Sequence, residues 1–166
     1  MGIVIGYQGV GKSTMCRKHN DCIDLESSSF WFKDKNGNPK RWDNWFDIYG
    51  NIAEHLSKQG NIVCIASHFA VRQRLKNTTE KVYVVVPSLE LRDRWVKRLY
   101  YRYLDTATEK DYKAWMNAGE RYEQDIQAMM DDAKNYDWKL VVIKPEDLDQ
   151  DLFNKVCGAM CGGGGC

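Results

Sequence analysis

The chain has almost no net charge and no long hydrophobic run. Its 24 basic and 23 acidic residues give a formal charge of +1, so no overall field attracts it to a nucleic-acid strand or a membrane surface. Its apolar runs are far shorter than the roughly 20 residues of a transmembrane helix. We therefore expect one soluble globular domain, for which 166 residues with 43% hydrophobic content suffice.

The six cysteines lack the pattern of a zinc site or a secreted scaffold. The three cysteines of the Gly-rich stretch 157–166 have no C-x-x-C clamp, and every histidine lies in the first half of the chain. Cys16, Cys22 and Cys64 fall in predicted core elements, where a free thiol behaves as a small hydrophobe. The chain starts in a predicted strand without a leader, so we expect a reducing cytoplasm. We predict a single domain over 1–156, with 157–166 as a flexible tail.

The most specific motif is a glycine-rich stretch with the pattern G-x-x-x-x-G-K-S. We call it the glycine loop, and its residues are Gly6, Tyr7, Gln8, Gly9, Val10, Gly11, Lys12, Ser13 and Thr14. It follows a short apolar run and precedes residues that can start a helix, as a phosphate-binding loop requires. Glycine lets the backbone approach a phosphate closely, and the amides at a helix start point at the anion. We expect Lys12 to reach the β- and γ-phosphates of ATP or GTP, and the Ser13 hydroxyl to bind Mg²⁺.

Apolar runs alternate with helical patterns along the rest of the chain, which predicts parallel βα units. The predicted strands are residues 2–6, 22–25, 62–66, 81–86 and 139–143. Ligands of such sheets bind at the carboxyl ends of the strands, where Asp24 and Ser67 stand. We therefore expect these two residues near the glycine loop.

Two further groups of residues each allow two interpretations. Phe30, Trp31 and Phe32 are either core residues above a turn or a wall on which a base or ring stacks. Arginines spaced four apart on the predicted helix 89–103 are either a solvated face or cations directed at phosphates. These arginines are Arg94, Arg98 and Arg102.

The order of elements resembles that of the small P-loop kinases, which include nucleoside monophosphate, shikimate and gluconate kinases. The resemblance spans residues 2–156, and the most similar group is the phage-type nucleotide kinases related to adenylate kinase. It implies a three-layer α/β fold with a five-stranded parallel sheet in the order 2-3-1-4-5 and helices on both faces. It also implies a small helical lid over about residues 98–113.

The resemblance also implies roles for individual residues. The glycine loop would bind ATP, and Asp24 would hold the acceptor or Mg²⁺. Catalysis would rest on Lys12, Asp24 and the lid arginines Arg98 and Arg102, which stabilise the charge of the transferred group. Substrate binding would fall to Asp24, Phe30, Trp31, Ser67 and Arg72.

The sequence departs from the family pattern in two places. The third predicted strand ends Ala66-Ser67-His68 without the aspartate that usually serves the metal, so Asp24 or Glu26 would have to do so. The Asp-Gly-Phe-Pro-Arg signature is also absent, which argues against adenylate kinase itself.

The expected function is phosphoryl transfer from ATP to a small acceptor, with a nucleoside monophosphate favoured. A metabolite kinase acting on a sugar or acid hydroxyl is the closest alternative. A P-loop switch and a polynucleotide 5′-kinase are weaker alternatives, because we find no switch loop and no basic track for a strand.

Overall fold

The computed structural model of the chain describes residues 1–160, apart from the side chains at positions 28, 29, 153 and 160. The strands are β1 (Gly2–Gly6), β2 (Cys22–Asp24), β3 (Trp31–Lys33), β4 (Pro39–Arg41), β5 (Ile62–Ala66), β6 (Val82–Pro87) and β7 (Lys139–Ile143). The α-helices are α1 (Lys12–Lys18), α2 (Trp45–Lys58), α3 (Phe69–Leu75), α4 (Arg92–Thr106), α5 (Glu109–Asn135) and α6 (Leu152–Met160).

Five parallel strands form the central sheet, in the order β2-β5-β1-β6-β7. This confirms the predicted α/β class and the all-parallel sheet flanked by helices. The order reads differently from the predicted 2-3-1-4-5 because we did not predict β3 and β4, which take two places in the chain numbering. These two strands form a separate antiparallel hairpin.

The three inner strands owe their position to continuous apolar sequence. In β1, β5 and β6 almost every residue is buried, which requires helices above and below the strand. The outer strand β7 begins with the exposed Lys139 and Leu140. Helix α2 packs on β1 and β5, while α5 packs on β6 and β7.

The long helix α5 starts at a side-chain cap. The Thr108 hydroxyl accepts a hydrogen bond from the Asp111 amide at 3.2 Å, as the Thr-x-x-Asp spacing predicts. The buried row of α5 includes Tyr122, Ile126 and Met129, which places this helix against the sheet. None of the helices within residues 1–160 combines the length and apolar character that a membrane span requires.

The C-terminal helix extends past the expected end of the domain. Helix α6 continues to Met160, and Val156 within it is fully buried. The first four residues of the predicted tail are therefore helical, and residues 161–166 lie outside the described part of the chain.

The sulfur atoms of Cys16, Cys22 and Cys64 lie within 4.8 Å of one another. A disulfide joins Cys16 on α1 to Cys22 on β2, so the expectation that both are free thiols is wrong. Cys64 is free and buried as predicted, with its Sγ 3.7 Å from that of Cys22. The sequence did not predict the disulfide because spacing alone does not show that α1 returns to the start of β2.

Tyr49 of α2 ties together the carboxyl ends of two strands. Its buried hydroxyl donates to the Leu25 carbonyl and accepts the Ala66 amide at 3.3 Å. Tyr49→Phe should lower the free energy of unfolding by about 1–3 kcal/mol, because it leaves buried backbone groups without a partner. Urea denaturation measures the change.

Tyr101→Phe is the matched control, since Tyr101 is 57% exposed. We expect this control to stay within about 0.5 kcal/mol of the wild-type chain. Equal stability of the two variants would contradict a bridging role for the Tyr49 hydroxyl.

Candidate functional site

Glycine is required at three positions of the loop between β1 and α1. Gly9 and Gly11 have φ values of +85° and +101°, in the left-handed region that other residues rarely adopt. A Cβ on Gly6 would lie 2.8 Å from Val10 Cγ2 and 2.9 Å from Lys12 Cδ. The loop conformation and the path of the Lys12 side chain therefore both depend on the motif glycines.

Lys12 turns back over the carboxyl ends of two neighbouring strands. Its Nζ donates to the Gly6 carbonyl at 2.7 Å and to the Ile65 carbonyl at 3.3 Å. Burial lowers the pKa of Lys12 to about 8, although Cys64, Asp24 and other acidic groups oppose the shift. The ammonium is thus a poorly solvated cation held at the edge of the sheet, beside the loop.

Oxygen atoms of the kind that Mg²⁺ prefers meet beside Lys12. The Ser13 hydroxyl donates to Asp24 Oδ2 at 2.6 Å, which joins the start of α1 to the end of β2. A hydroxyl and a carboxylate fit a Mg²⁺ ion that keeps most of its water ligands. Glu26, the other candidate carboxylate, instead pairs with Lys110 Nζ at 2.9 Å. Of these two carboxylates, Asp24 is therefore the one that meets the Ser13 hydroxyl.

Two loop residues fasten the loop to the helices. Gln8 accepts a hydrogen bond from Trp95 Nε1 at 2.8 Å through its carbonyl, and its side chain donates to the Ala114 carbonyl at 3.1 Å. The Tyr7 ring is buried against Tyr122, with 5.7 Å between the ring centroids. Tyr7 and Gln8 therefore support the loop conformation in addition to the nucleotide contact predicted for them.

The predicted lid is the junction of α4 and α5. Arg102 NH2 lies 2.8 Å from Asp111 Oδ1, and the Thr106 hydroxyl also donates to Asp111. Burial opposes ionisation of Asp111, but the Thr106 hydrogen bond and the Arg102 charge lower its pKa below the usual range. The contact of Lys110 with Glu26 places the start of α5 across from β2. The junction therefore borders the glycine loop, with Arg102 held by a carboxylate.

A groove runs along the other side of the loop. Its lining includes Val10, Trp95, Arg98, Ile143, Leu152 and Lys155. The Arg98 guanidinium lies 5.0 Å from the centre of the Trp95 ring. The two predicted lid arginines thus stand at different places, Arg98 on this groove and Arg102 at the helix junction.

Arg72, the predicted acceptor contact, already has protein partners. It is 5% exposed, and its Nε and NH1 donate at 2.6 Å to Asp132 and to the Ser67 carbonyl. This pairing holds α3 to α5 and orients the end of β5. The Ser67 contact uses its carbonyl rather than its hydroxyl.

Phe30 and Trp31 fit different interpretations of the aromatic run at residues 30–32, which are core packing and a wall for a stacked ring. Phe30 is buried against Tyr49, with 5.3 Å between ring centroids, as the core interpretation predicts. Trp31 is 47% exposed on the hairpin, where a ligand could stack. The chain reversal at Asn36-Gly37 separates β3 from β4, and Gly37 has a φ of +78°.

Sequence reasoning missed several contacts near the site. Lys110 and Asp111 lie within the predicted lid, but their ion pairs with Glu26 and Arg102 were not predicted, because charge alone does not show which partner the fold brings to each residue. Arg41 lay in a polar run that we interpreted as a turn, yet its guanidinium stacks against Trp45. Two tryptophans, Trp42 and Trp45, follow Arg41 closely in the chain, and this was the signal available.

The chain matches no protein-family model and no curated protein. Functional inference therefore rests on the contacts around the glycine loop.

The lowered pKa of Lys12 predicts a pH-dependent stability. In the unfolded chain this lysine keeps its ordinary pKa, so between about pH 8 and pH 10 the unfolded state binds more protons and stability rises with pH. Lys12→Met should exceed the wild-type chain in free energy of unfolding by about 1–3 kcal/mol at pH 7, because it removes a poorly solvated charge. This difference should shrink as the pH approaches 10.

Urea denaturation at several pH values measures the difference, with Lys18→Met as the control on the same helix. Lys18 is exposed, so its substitution should leave the pH profile parallel to that of the wild-type chain. If the difference in free energy of unfolding between Lys12→Met and the wild-type chain does not change with pH, the Lys12 ammonium does not titrate as proposed.

Proposed function

We propose that the chain is an ATP-dependent phosphotransferase that acts as a nucleoside monophosphate kinase. The observation that carries the proposal is the glycine loop itself, whose Lys12 and Ser13–Asp24 contact lie at the carboxyl end of a parallel sheet. Open α/β sheets bind ligands at this end, and the loop combines the backbone amides of a helix start with a cation. We also propose that the fold matches that of the P-loop kinases in detail and includes their helical lid.

Lys12 is the residue that would contact the β- and γ-phosphates of ATP. Its Nζ contacts two carbonyl oxygens, and a phosphate would replace these weaker partners with full negative charge. Ser13 and Asp24 would hold Mg²⁺, which neutralises charge on the phosphate oxygens. The groove lined by Val10 and Arg98 would receive the nucleoside of ATP.

The other catalytic assignments follow from the same placement. Arg102 would stabilise charge that spreads over the transferred group, and Arg98, predicted for the same role, would reach it only if the α4–α5 junction moves on closure. Asp24 would orient the acceptor if it is not occupied by the metal. Closure of the α4–α5 junction would exclude water, which otherwise hydrolyses ATP. Since ATP and Mg²⁺ are abundant there, we propose the cytoplasm as the site of the reaction.

The acceptor would bind on the side of β2, β5 and the hairpin. The candidate contacts from sequence are Asp24, Phe30, Trp31, Ser67 and Arg72. Exposed Trp31 supports stacking of a base, whereas buried Phe30 would act by supporting the wall. A metabolite kinase would need polar groups for several hydroxyls, which the aromatic hairpin does not favour.

Measurement of ADP release separates the candidate functions. A panel of nucleoside monophosphates, sugars, sugar acids and oligonucleotides would be tested with ATP and Mg²⁺. We expect turnover to depend on a nucleoside monophosphate. Turnover without any acceptor would favour a switch or ATPase, and a purified chain without Mg²⁺-dependent ATP or GTP affinity would refute the proposal.

Lys12→Ala should lower acceptor-dependent turnover by about a thousandfold or more, because the cation acts on phosphates that carry the developing charge. Lys18→Ala is the matched control on α1, and it should retain wild-type turnover. Initial rates at saturating ATP measure both variants. Near-normal turnover of Lys12→Ala would remove this residue from the mechanism.

Arg102→Lys should lower kcat by about ten- to a hundredfold with a smaller effect on ATP affinity, because a lid cation acts mainly in the transition state. This variant keeps a positive charge beside Asp111, so the fold is preserved better than in an alanine variant. Arg94→Lys, at an exposed position of the same helix, is the control. An unchanged kcat would show that Arg102 serves only the ion pair with Asp111.

A further inference from the structure

The hairpin β3–β4 places an arginine beside two tryptophans. Trp31 and Arg41 are cross-strand partners, and the Arg41 guanidinium carbon lies 4.6 Å from the centre of the Trp31 ring. It also lies 4.1 Å from the centre of the Trp45 ring at the start of α2. We call these three residues the hairpin clamp. Burial among these neighbours lowers the pKa of Arg41.

The hairpin that carries the clamp has a well-defined turn. Asp34 Oδ1 accepts the amides of Asn36 and Asn38, both at 2.9 Å. Such an Asx-type turn fixes the register of the two strands, and with it the pairing of Trp31 and Arg41. The turn therefore places Arg41 opposite Trp31 on the hairpin.

Arg41 is a cation without an anion among the described residues. Its buried Nε has no hydrogen-bond partner there, and the ion pairs found within residues 1–160 do not include it. An unpaired, partly desolvated charge is unfavourable for stability. Stacking on indoles returns only part of this free energy. Because Nε is buried, an anionic ligand would bind through the terminal NH1 and NH2 groups, which have no acceptor among the described residues.

The clamp belongs to the same edge of the sheet as the glycine loop. The His68 ring lies 5.1 Å from the Trp45 ring, and His68 follows β5, whose Ile65 carbonyl contacts Lys12. Burial lowers the pKa of His68 to about 4, and three cations contribute to the shift: Arg41, Lys12 and Arg72. His68 is therefore neutral at pH 7 in positively charged surroundings. Arg72 is balanced by Asp132, whereas Arg41 is not.

We propose that the hairpin clamp binds the phosphate of a nucleoside monophosphate, through the guanidinium edge of Arg41. The proposal rests on the proposed phosphotransferase function and names the acceptor of that site. Arginine can offer two parallel N–H donors to a phosphate, which suits a dianion better than a neutral hydroxyl. Trp31 and Trp42 are 47% and 51% exposed beside Arg41, and they give a base apolar surface on which to stack.

This assignment moves the expected contact with the acceptor phosphate from Arg72 to Arg41. Arg72, which the sequence favoured, has its Nε and NH1 bound to protein acceptors and acts as a positioning residue for the end of β5. Arg41 has the free donors, so it determines whether an acceptor must carry a phosphate. A polyol acceptor would gain nothing from Arg41.

The test measures binding to the full chain without ATP. Intrinsic tryptophan fluorescence follows titration with AMP, GMP, CMP, UMP and dTMP, with the matching nucleosides, and with inorganic phosphate. At least one monophosphate should bind about ten- to a hundredfold more tightly than its nucleoside. In Arg41→Gln this preference for the phosphate should vanish, and the KM for the acceptor should rise more than kcat falls.

Two further variants separate recognition from structural damage. Arg41→Lys keeps the charge but loses the planar donor pair, so we expect about tenfold weaker monophosphate binding. Arg121→Gln, at an exposed arginine of α5, should bind as the wild-type chain does. The melting temperature of Arg41→Gln should be equal to or above that of the wild-type chain, because an unpaired charge is removed.

Three outcomes would overturn the clamp proposal. They are equal affinity of the wild-type chain for monophosphates and nucleosides, unchanged monophosphate affinity in Arg41→Gln, and a lower melting temperature of Arg41→Gln without loss of the phosphate preference. Failure of the kinase proposal is distinguishable from these. Arg41-dependent monophosphate binding without ATP turnover would refute the kinase and leave the clamp. Acceptor-dependent turnover that does not change in Arg41→Gln would refute the clamp and leave the kinase.

Discussion

The contact of the Lys12 ammonium with two backbone carbonyls depends on the geometry of the parallel sheet. Gly6 pairs with Ala66, so the ends of β1 and β5 lie level and present their carbonyl oxygens to one cation. The glycine loop can turn back over this edge only because Gly6 has no Cβ to collide with Lys12. Sheet register, loop conformation and the position of the charge are therefore one arrangement, and the proposed chemistry requires all three.

Charges around this edge are balanced to different degrees. Lys110 neutralises Glu26, and Asp132 neutralises Arg72, so these pairs position α5 and the end of β5. Arg102 is likewise held by Asp111 at the helix junction. Lys12 and Arg41 take part in none of the ion pairs found within residues 1–160, and burial lowers the pKa of both. Under the proposed function, Lys12 would face the phosphate donor at the glycine loop and Arg41 the acceptor at the hairpin.

Aromatic residues perform distinct tasks in the two halves of the site. Trp95 and Tyr122 hold the loop from behind, since one donates to the Gln8 carbonyl and the other packs on Tyr7. Tyr49 and Phe30 form a buried support beneath the hairpin. Trp31 remains partly exposed on that support. A rigid base with an accessible upper surface is what stacking of a ligand requires.

The sequence by itself determined the class of fold and the location of the loop. Apolar runs of strand length that alternate with helical patterns are buried as parallel strands between helices. The motif formed by Gly6, Gly11 and Lys12 specifies a local backbone conformation. These features are encoded by neighbours in the chain, so they could be predicted without tertiary contacts. The capping of α5 by Thr108 was predictable for the same reason.

Only the tertiary structure decided which side chains meet. It joined Cys16 to Cys22, paired Arg72 with Asp132, and placed Arg41 beside Trp31 and Trp45. The sequence assigned Arg72 to the acceptor and Arg98 and Arg102 to the lid, but charge and spacing do not reveal the partner of each arginine. Packing decides whether a cation pairs with a carboxylate of the protein or stays available to a ligand, because packing sets the solvation and the neighbours of the cation.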